Sequence, residues 1–176
     1  MNEAAGKGKD RGRALDPEAF AGALGPGMRL LGLDVGTKTI GLALSDVTRT
    51  IATGLVTLQR GKFAADAHRL VELAAEHGVG GLVVGLPVNL DGTEGPRAQA
   101  TRAFVRNFGR LSPLPILLWD ERLSTAAAER TLLEADMSRR RRAQVIDKVA
   151  ATLILQGALD RLKLLPGADG PAKTPD

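Results

Sequence analysis

An α/β fold built on a mixed five-stranded sheet flanked by helices is what this sequence predicts, and three observations carry it. Three short apolar, strand-like segments follow one another between residues 29 and 58, the first two joined by a tight turn as a hairpin. Beyond them, two apolar runs of strand length, Gly81 to Leu86 and Pro115 to Trp119, are separated by a stretch of helical periodicity, as in a parallel pair joined by a right-handed crossover. The chain has 176 residues, 44% of them hydrophobic, which suits one domain with one ordinary core.

Taken in order, Arg29 to Val35 reads as a strand, Gly36-Thr37-Lys38 as a turn, Thr39 to Ser45 as the hairpin partner and Thr50 to Leu58 as a third strand. From Lys62 to His77 the apolar positions Phe63, Ala67, Leu70, Val71 and Ala74 recur at helical spacing, and Gly78 supplies the stop. Gly81 to Leu86 is a buried strand. After a polar loop, Pro96 opens a helix that turns Phe104, Val105, Phe108 and Leu111 inward, since proline suits a first helical position. Pro115 to Trp119 is the fifth strand. Ser124 or Thr125 caps an alanine-rich helix to about Ala135, Ser138 to Gln144 reads as a basic connector, and Val145 to Leu162 as the last helix. The order is βββαβαβαα. Residues 1–27 end in Gly25-Pro-Gly27 and read as a flexible tail, residues 28–165 as the folded domain, and residues 166–176, rich in Pro, Gly and Asp, as a second tail.

Composition closes off several classes of function. Without cysteine there is neither a disulfide framework nor a thiolate zinc site, which suits a reducing cytoplasm. No secretory signal and no membrane-spanning run is visible, so a cytoplasmic protein is expected. With 24 basic against 20 acidic residues, and a pI near 9.8, a polyanionic partner is permitted.

Three acids stand in settings that a soluble protein tolerates poorly. Asp34 lies inside the apolar strand Arg29-Leu-Leu-Gly-Leu-Asp-Val35, Glu121 at the end of the fifth strand, and Asp147 at the start of an apolar helix. A carboxylate buried without compensation costs several kcal/mol, so three of them together suggest a metal site. Asp34 precedes a glycine-containing turn whose open backbone can approach a phosphate, and Lys38 in that turn can meet one; a plain hairpin with Asp34 accepting turn hydrogen bonds is the alternative. Asp46, at a strand end, suits a turn or cap better than a metal. In Trp119-Asp-Glu-Arg-Leu-Ser-Thr125 the pleat puts Leu117, Trp119 and Glu121 on one face and Leu118 and Asp120 on the other, which favours Glu121 as the ligand, leaves Arg122 for phosphate and makes Trp119 a core residue. Positions 147, 150, 151 and 154 share a helical face, although an acid in a first turn also serves as a cap. In the loop Gly85 to Arg97, residues Asn89, Asp91, Glu94 and Arg97 read equally as substrate contacts or as ordinary turn chemistry. Arg139, Arg140, Arg141 and Arg142 form either a phosphodiester-binding run or a solvated charge run. His68 and His77, within and at the end of an amphipathic helix, are not favoured for catalysis.

Asp34 to Asp46, Gly85 to Ala100, Trp119 to Thr125 and Asp147 to Gln156 together resemble the YqgF/RuvX family, and the likeness spans nearly all of residues 28–162. The resemblance implies an RNase H-like fold whose first three strands are antiparallel. It implies a nuclease that matures the 5′ end of pre-16S rRNA, with Holliday junction resolution as the older assignment, and an acidic triad of Asp34, Glu121 and Asp147 as both catalytic and metal-binding residues. It also implies phosphodiester hydrolysis with two Mg²⁺ or Mn²⁺ ions, hard cations that all-oxygen ligation suits better than zinc, and no covalent intermediate. Nucleic acid would lie on Lys38, Arg97, Arg122, Arg139, Arg140, Arg141, Arg142 and Lys148, with pre-rRNA favoured over structured DNA, no membrane partner, and a homodimer as in resolvases. Thr39 stands where many members carry arginine, so that phosphate contact is not carried over. Two other readings stay open: an ATP-binding protein of the actin and sugar-kinase type, which needs two domains where this chain has length for one, and a non-catalytic nucleic-acid-binding module.

Overall fold

The computed structural model describes residues 14–124 and 139–166, and for residues 139–145 and 147 the backbone alone. After α1 (Pro17–Ala23) come β1 (Arg29–Val35), β2 (Thr39–Ser45), β3 (Ala52–Gln59), α2 (Phe63–Glu76), β4 (Val79–Leu86), α3 (Pro96–Leu111), β5 (Ile116–Asp120), a 3-10 turn (Glu121–Leu123) and α4 (Arg139–Lys163). The sheet runs in the order β3-β2-β1-β4-β5. β1, β2 and β3 are antiparallel neighbours, whereas β4 is parallel to both β1 and β5. This is the mixed five-stranded sheet, with its first three strands antiparallel, that was expected.

Alternation along the strands divides the core. Leu31, Leu33, Val35, Ile40 and Leu42 face α2 and α3 and meet Leu70, Phe104, Val105 and Phe108. Leu30, Ala43, Val83, Leu117 and Trp119 face the other way, toward Ala151, Ile154, Leu155, Ala158 and Leu159 of α4. The β1–β2 turn is closed by the Gly36 N–H donating to Thr39 O at 2.9 Å. A side chain at Gly36 would come within 3.0 Å of that same carbonyl, which is why glycine stands there. β3 begins at Ala52, two residues later than expected, because the Asp46 carboxylate accepts from Thr50 N at 2.7 Å and Ile51 N at 3.0 Å and keeps both in the turn.

Three expectations are corrected or moved. The expected tail, residues 1–27, is folded from Ala14 onward: Asp16 caps α1 by accepting from Ala19 N at 2.7 Å. The Leu15 N–H donates to Ile116 O at 2.8 Å and extends the sheet past β5. Phe20 is fully buried against Gly81 and α4. The expected connector Ser138 to Gln144 is helical from Arg139, so the arginine run forms the opening turns of α4. The expected helix from Ser124 or Thr125 to Ala135 lies outside the described residues, as do residues 1–13 and 167–176.

Candidate active site

The pleat of β1 puts Leu30, Gly32 and Asp34 on the α4 side of the sheet. Asp34 is 2% exposed there. Its partner on β2 is Gly41. On the β4 side, the parallel register that ends at Leu33 opposite Val84 brings Gly85 next to it. The residues flanking Asp34 on both neighbouring strands are therefore glycines.

Glu121 arrives from the far edge. Leu117 and Trp119 lie on the α4 side, and after Asp120 the chain tightens into the 3-10 turn that Glu121 opens. Asp120 caps this turn, its carboxylate accepting from Arg122 N at 2.9 Å. Glu121 is 4% exposed. Its Oε1 lies 2.8 Å from where a Cβ on Gly85 would be, beside Ile154 of α4. The missing side chain at residue 85 is thus the space into which Glu121 reaches, and that space adjoins Asp34.

α4 crosses above this floor. The Lys148 stem lies on Gly54 of β3, Ala151 and Leu155 lie on Gly32 of β1, Ile154 on Gly85 of β4, and Gly157 against Trp119 of β5. Glycines beneath it let the helix sit close. The backbone of Asp147 belongs to α4, one turn ahead of the buried Ala150 and Ala151, while its side chain lies outside the described residues. Gln156 ties the helix to the β2–β3 turn: its Oε1 accepts from Ala52 N at 2.9 Å and its Nε2 donates to Thr50 O at 3.0 Å.

The other sequence candidates separate by environment. Arg122 is tied to Asp120, with Nη2 to Oδ2 at 2.7 Å. That hydrogen bond holds the Asp120 carboxyl below the ordinary aspartate range and raises the guanidinium in turn. Asp91 accepts from the Thr93 N–H and hydroxyl, which lowers its pKa, and Glu94 pairs with Arg102 at 2.5 Å, which lowers its own. In that loop Asn89 and Asp91 are engaged in turn hydrogen bonds with Thr93, and Glu94 in a salt bridge to α3. Asp46 is likewise held low by Thr48 and the backbone of Ile51 and Thr50, as a turn residue. Lys38, Arg97 and Lys148 are exposed; the side chains of Arg139, Arg140, Arg141 and Arg142 lie outside the described residues. His68 pairs with Glu72 at 3.0 Å on the surface of α2, and His77 ends that helix. Trp119 is core, as expected.

Two buried carboxylates on one face, with no sulfur or imidazole beside them among the described residues, form a donor set that fits Mg²⁺ or Mn²⁺. Among the described residues no group of three His, Cys, Asp or Glu side chains gathers, and the third donor expected is Asp147. Sequence reasoning passed over Gly41 and Gly85 as parts of the site. A turn of Gly36-Thr37-Lys38 alone would set Ile40 opposite Asp34; the register runs Val35 opposite Ile40, so Thr39 belongs to the turn as well and Gly41 falls opposite Asp34.

A family model described as "RuvX: Holliday junction resolvase" matches residues 28–161. A "Putative pre-16S rRNA nuclease" of Rhodobacter capsulatus is 61% identical over 151 residues, covering 86% of this chain and 95% of that one. A protein of the same description from Rhizobium etli is 58% identical over 156 residues, covering 89% and 95%. Among solved structures, Thermus thermophilus RuvC in complex with a Holliday junction substrate matches with a TM-score of 0.48 at 12% identity, covering 77% of this chain and 96% of that one. By the family match and by identity of this extent over most of its length, the chain belongs to the RuvX family.

Proposed function

We propose that this protein is a nuclease that hydrolyses phosphodiester bonds in the 5′-end maturation of pre-16S rRNA, in the cytoplasm. The observation that carries the reading is the convergence of buried Asp34 and Glu121 on one glycine-floored patch of the sheet, in a chain about 60% identical to relatives described as pre-16S rRNA nucleases. Asp34, Glu121 and Asp147 would hold two Mg²⁺ or Mn²⁺ ions, which supply an activated water and stabilise the leaving oxygen. The chain's own residues do the rest. Burial of the carboxylates strengthens their hold on cations, because the surrounding dielectric is low. Gly85 makes the room in which Glu121 comes up beside Asp34, and Gly41 puts no side chain on the other flank. Lys38, Arg97, Lys148 and the run Arg139–Arg142 neutralise the substrate backbone on either side, with Arg122 joining them if it leaves Asp120.

The family description favours a second reading, in which a homodimer cuts a four-way DNA junction at two symmetric positions. One experiment separates the two. Purified protein is incubated with labelled pre-16S fragments, single-stranded RNA and four-way junctions in Mg²⁺ or Mn²⁺, beside Asp34→Asn and an EDTA control. Cleavage of the precursor that disappears in both controls supports the rRNA reading, and paired cuts in the junction support resolution. Tight binding with no cut in either metal assigns the protein to a non-catalytic module.

A further inference from the structure

We infer that Arg60 is a positioning residue, holding the β1–β2 turn so that Lys38 meets a substrate phosphate; this rests on the reading of Lys38 as a phosphate contact. Arg60 directly follows β3 and grips both ends of that turn. Its Nη1 donates to Gly36 O at 2.7 Å, and its backbone N–H donates to Lys38 O at 2.8 Å. The guanidinium is itself fixed. Its Nε lies 3.8 Å from Asp66 Oδ2, and its carbon stands 5.8 Å from the centre of the Phe104 ring. Asp66 is held in turn, since its Oδ1 accepts from Gly61 N at 3.0 Å, and its Oδ2 makes no hydrogen bond among the described residues. Phe104 is braced edge-on by Phe63 at 5.5 Å.

Arg60 acts through the turn. Its partners Asp66 and Phe104 belong to the α2 and α3 side, whereas Asp34 and Glu121 lie on the α4 side. The hairpin does not need it to form, because Val35 pairs with Ile40 and Gly36 N–H reaches Thr39 O without it. What Arg60 adds is restraint at the tip, where a glycine followed by two exposed residues would otherwise spend entropy on ordering when substrate arrives.

The test is binding of a labelled single-stranded RNA to the full chain in EDTA, by fluorescence anisotropy across a salt series, so that turnover plays no part. Lys38→Ala is expected to weaken binding and to reduce the slope of log K against log salt by about 0.7, one phosphate contact on a single strand. Arg60→Ala should do the same, the double variant should bind no worse than Lys38→Ala alone, and Arg60→Lys should recover part of the loss. Additive losses, or an Arg60→Ala protein that binds like the parent, overturn the inference. If Lys38→Ala binds like the parent, the phosphate reading of Lys38 fails, and amide exchange then decides on Arg60. Exchange at Gly36 and residue 60 that speeds up about tenfold in Arg60→Ala, with core amides unchanged, supports the tether, and unchanged exchange overturns it. Should Arg60→Ala not fold, Arg60→Lys and Asp66→Asn take its place in the same cycle, with smaller shifts of the same non-additive kind expected and additive ones overturning it.

Discussion

At residue 85 a hydrogen atom in place of a methyl group decides where a carboxylate can sit. A Cβ there would lie 2.4 Å from Ile154 Cδ1 and 2.8 Å from Glu121 Oε1, so Gly85→Ala must push one or both away. Overpacking of this kind costs about 1–3 kcal/mol. Displacing a catalytic group by about an ångström costs roughly a hundredfold in rate. Gly85→Ala is therefore expected to remain folded with a lowered melting temperature while losing cleavage of the precursor RNA, which thermal melts and single-turnover assays read separately. Asp120 supports a prediction about pH. Its carboxyl is depressed by Arg122, so the pair stabilises the fold fully above the ordinary aspartate value of 3.8 and less as pH falls below it toward the depressed value. Urea midpoints measured down an acid series should fall through that window in the parent chain, and Arg122→Ala should flatten that part of the decline.

Among the elements, α4 is the one on which the site depends most. It rests on Gly32, where a Cβ would meet Leu155 Cβ at 2.7 Å and the Ala151 carbonyl at 3.0 Å. Backbone cannot step aside as a side-chain tip can, so Gly32→Ala should cost about 1–3 kcal/mol and shift the helix that carries Asp147. Gln156→Ala tests the same docking from the polar side. It leaves Ala52 N and Thr50 O without their partner, at about 1–3 kcal/mol for a buried group so orphaned, read as a lower urea midpoint at unchanged slope. These contacts mark the limit of what was legible in the chain. β1 and β2 were placed to the residue, because their apolar runs stop at the Gly-Thr-Lys turn, although that turn as read sets the register one residue off. β3 was placed two residues early, since nothing local in Thr50 and Ile51 shows that Asp46 takes their N–H groups. The helical start at Arg139 was read as a connector because four adjacent arginines carry no apolar period, although arginine is a good helix former. The acids Asp34 and Glu121 stood out for being charged where neighbours are apolar. Arg60 carried no such mark, as its partners Gly36, Asp66 and Phe104 come together through three separate elements.

For the molecule as a whole, the folded unit is larger than the family match. That match begins at residue 28, yet Phe20 is fully buried and lies against Gly81. Truncating a buried phenylalanine costs about 3–5 kcal/mol, so Phe20→Ala should unfold at clearly lower denaturant than the parent, and a chain begun at Met28 at least as low. Described residues include no helix long and apolar enough to cross a membrane. The placement of α4 also bears on timing. Every strand leaves the ribosome before this helix does, and at translation speeds of about 5–20 residues per second the wait between Asp34 and the end of α4 is on the order of ten seconds. Until α4 emerges, the sheet face made by Leu30, Ala43, Val83, Leu117 and Trp119 has only the α1 side chains, Phe20 among them, to cover it. The helix that would bring Asp147 to Asp34 and Glu121 is thus made after every strand that receives it, and the proposed site cannot close before that helix docks.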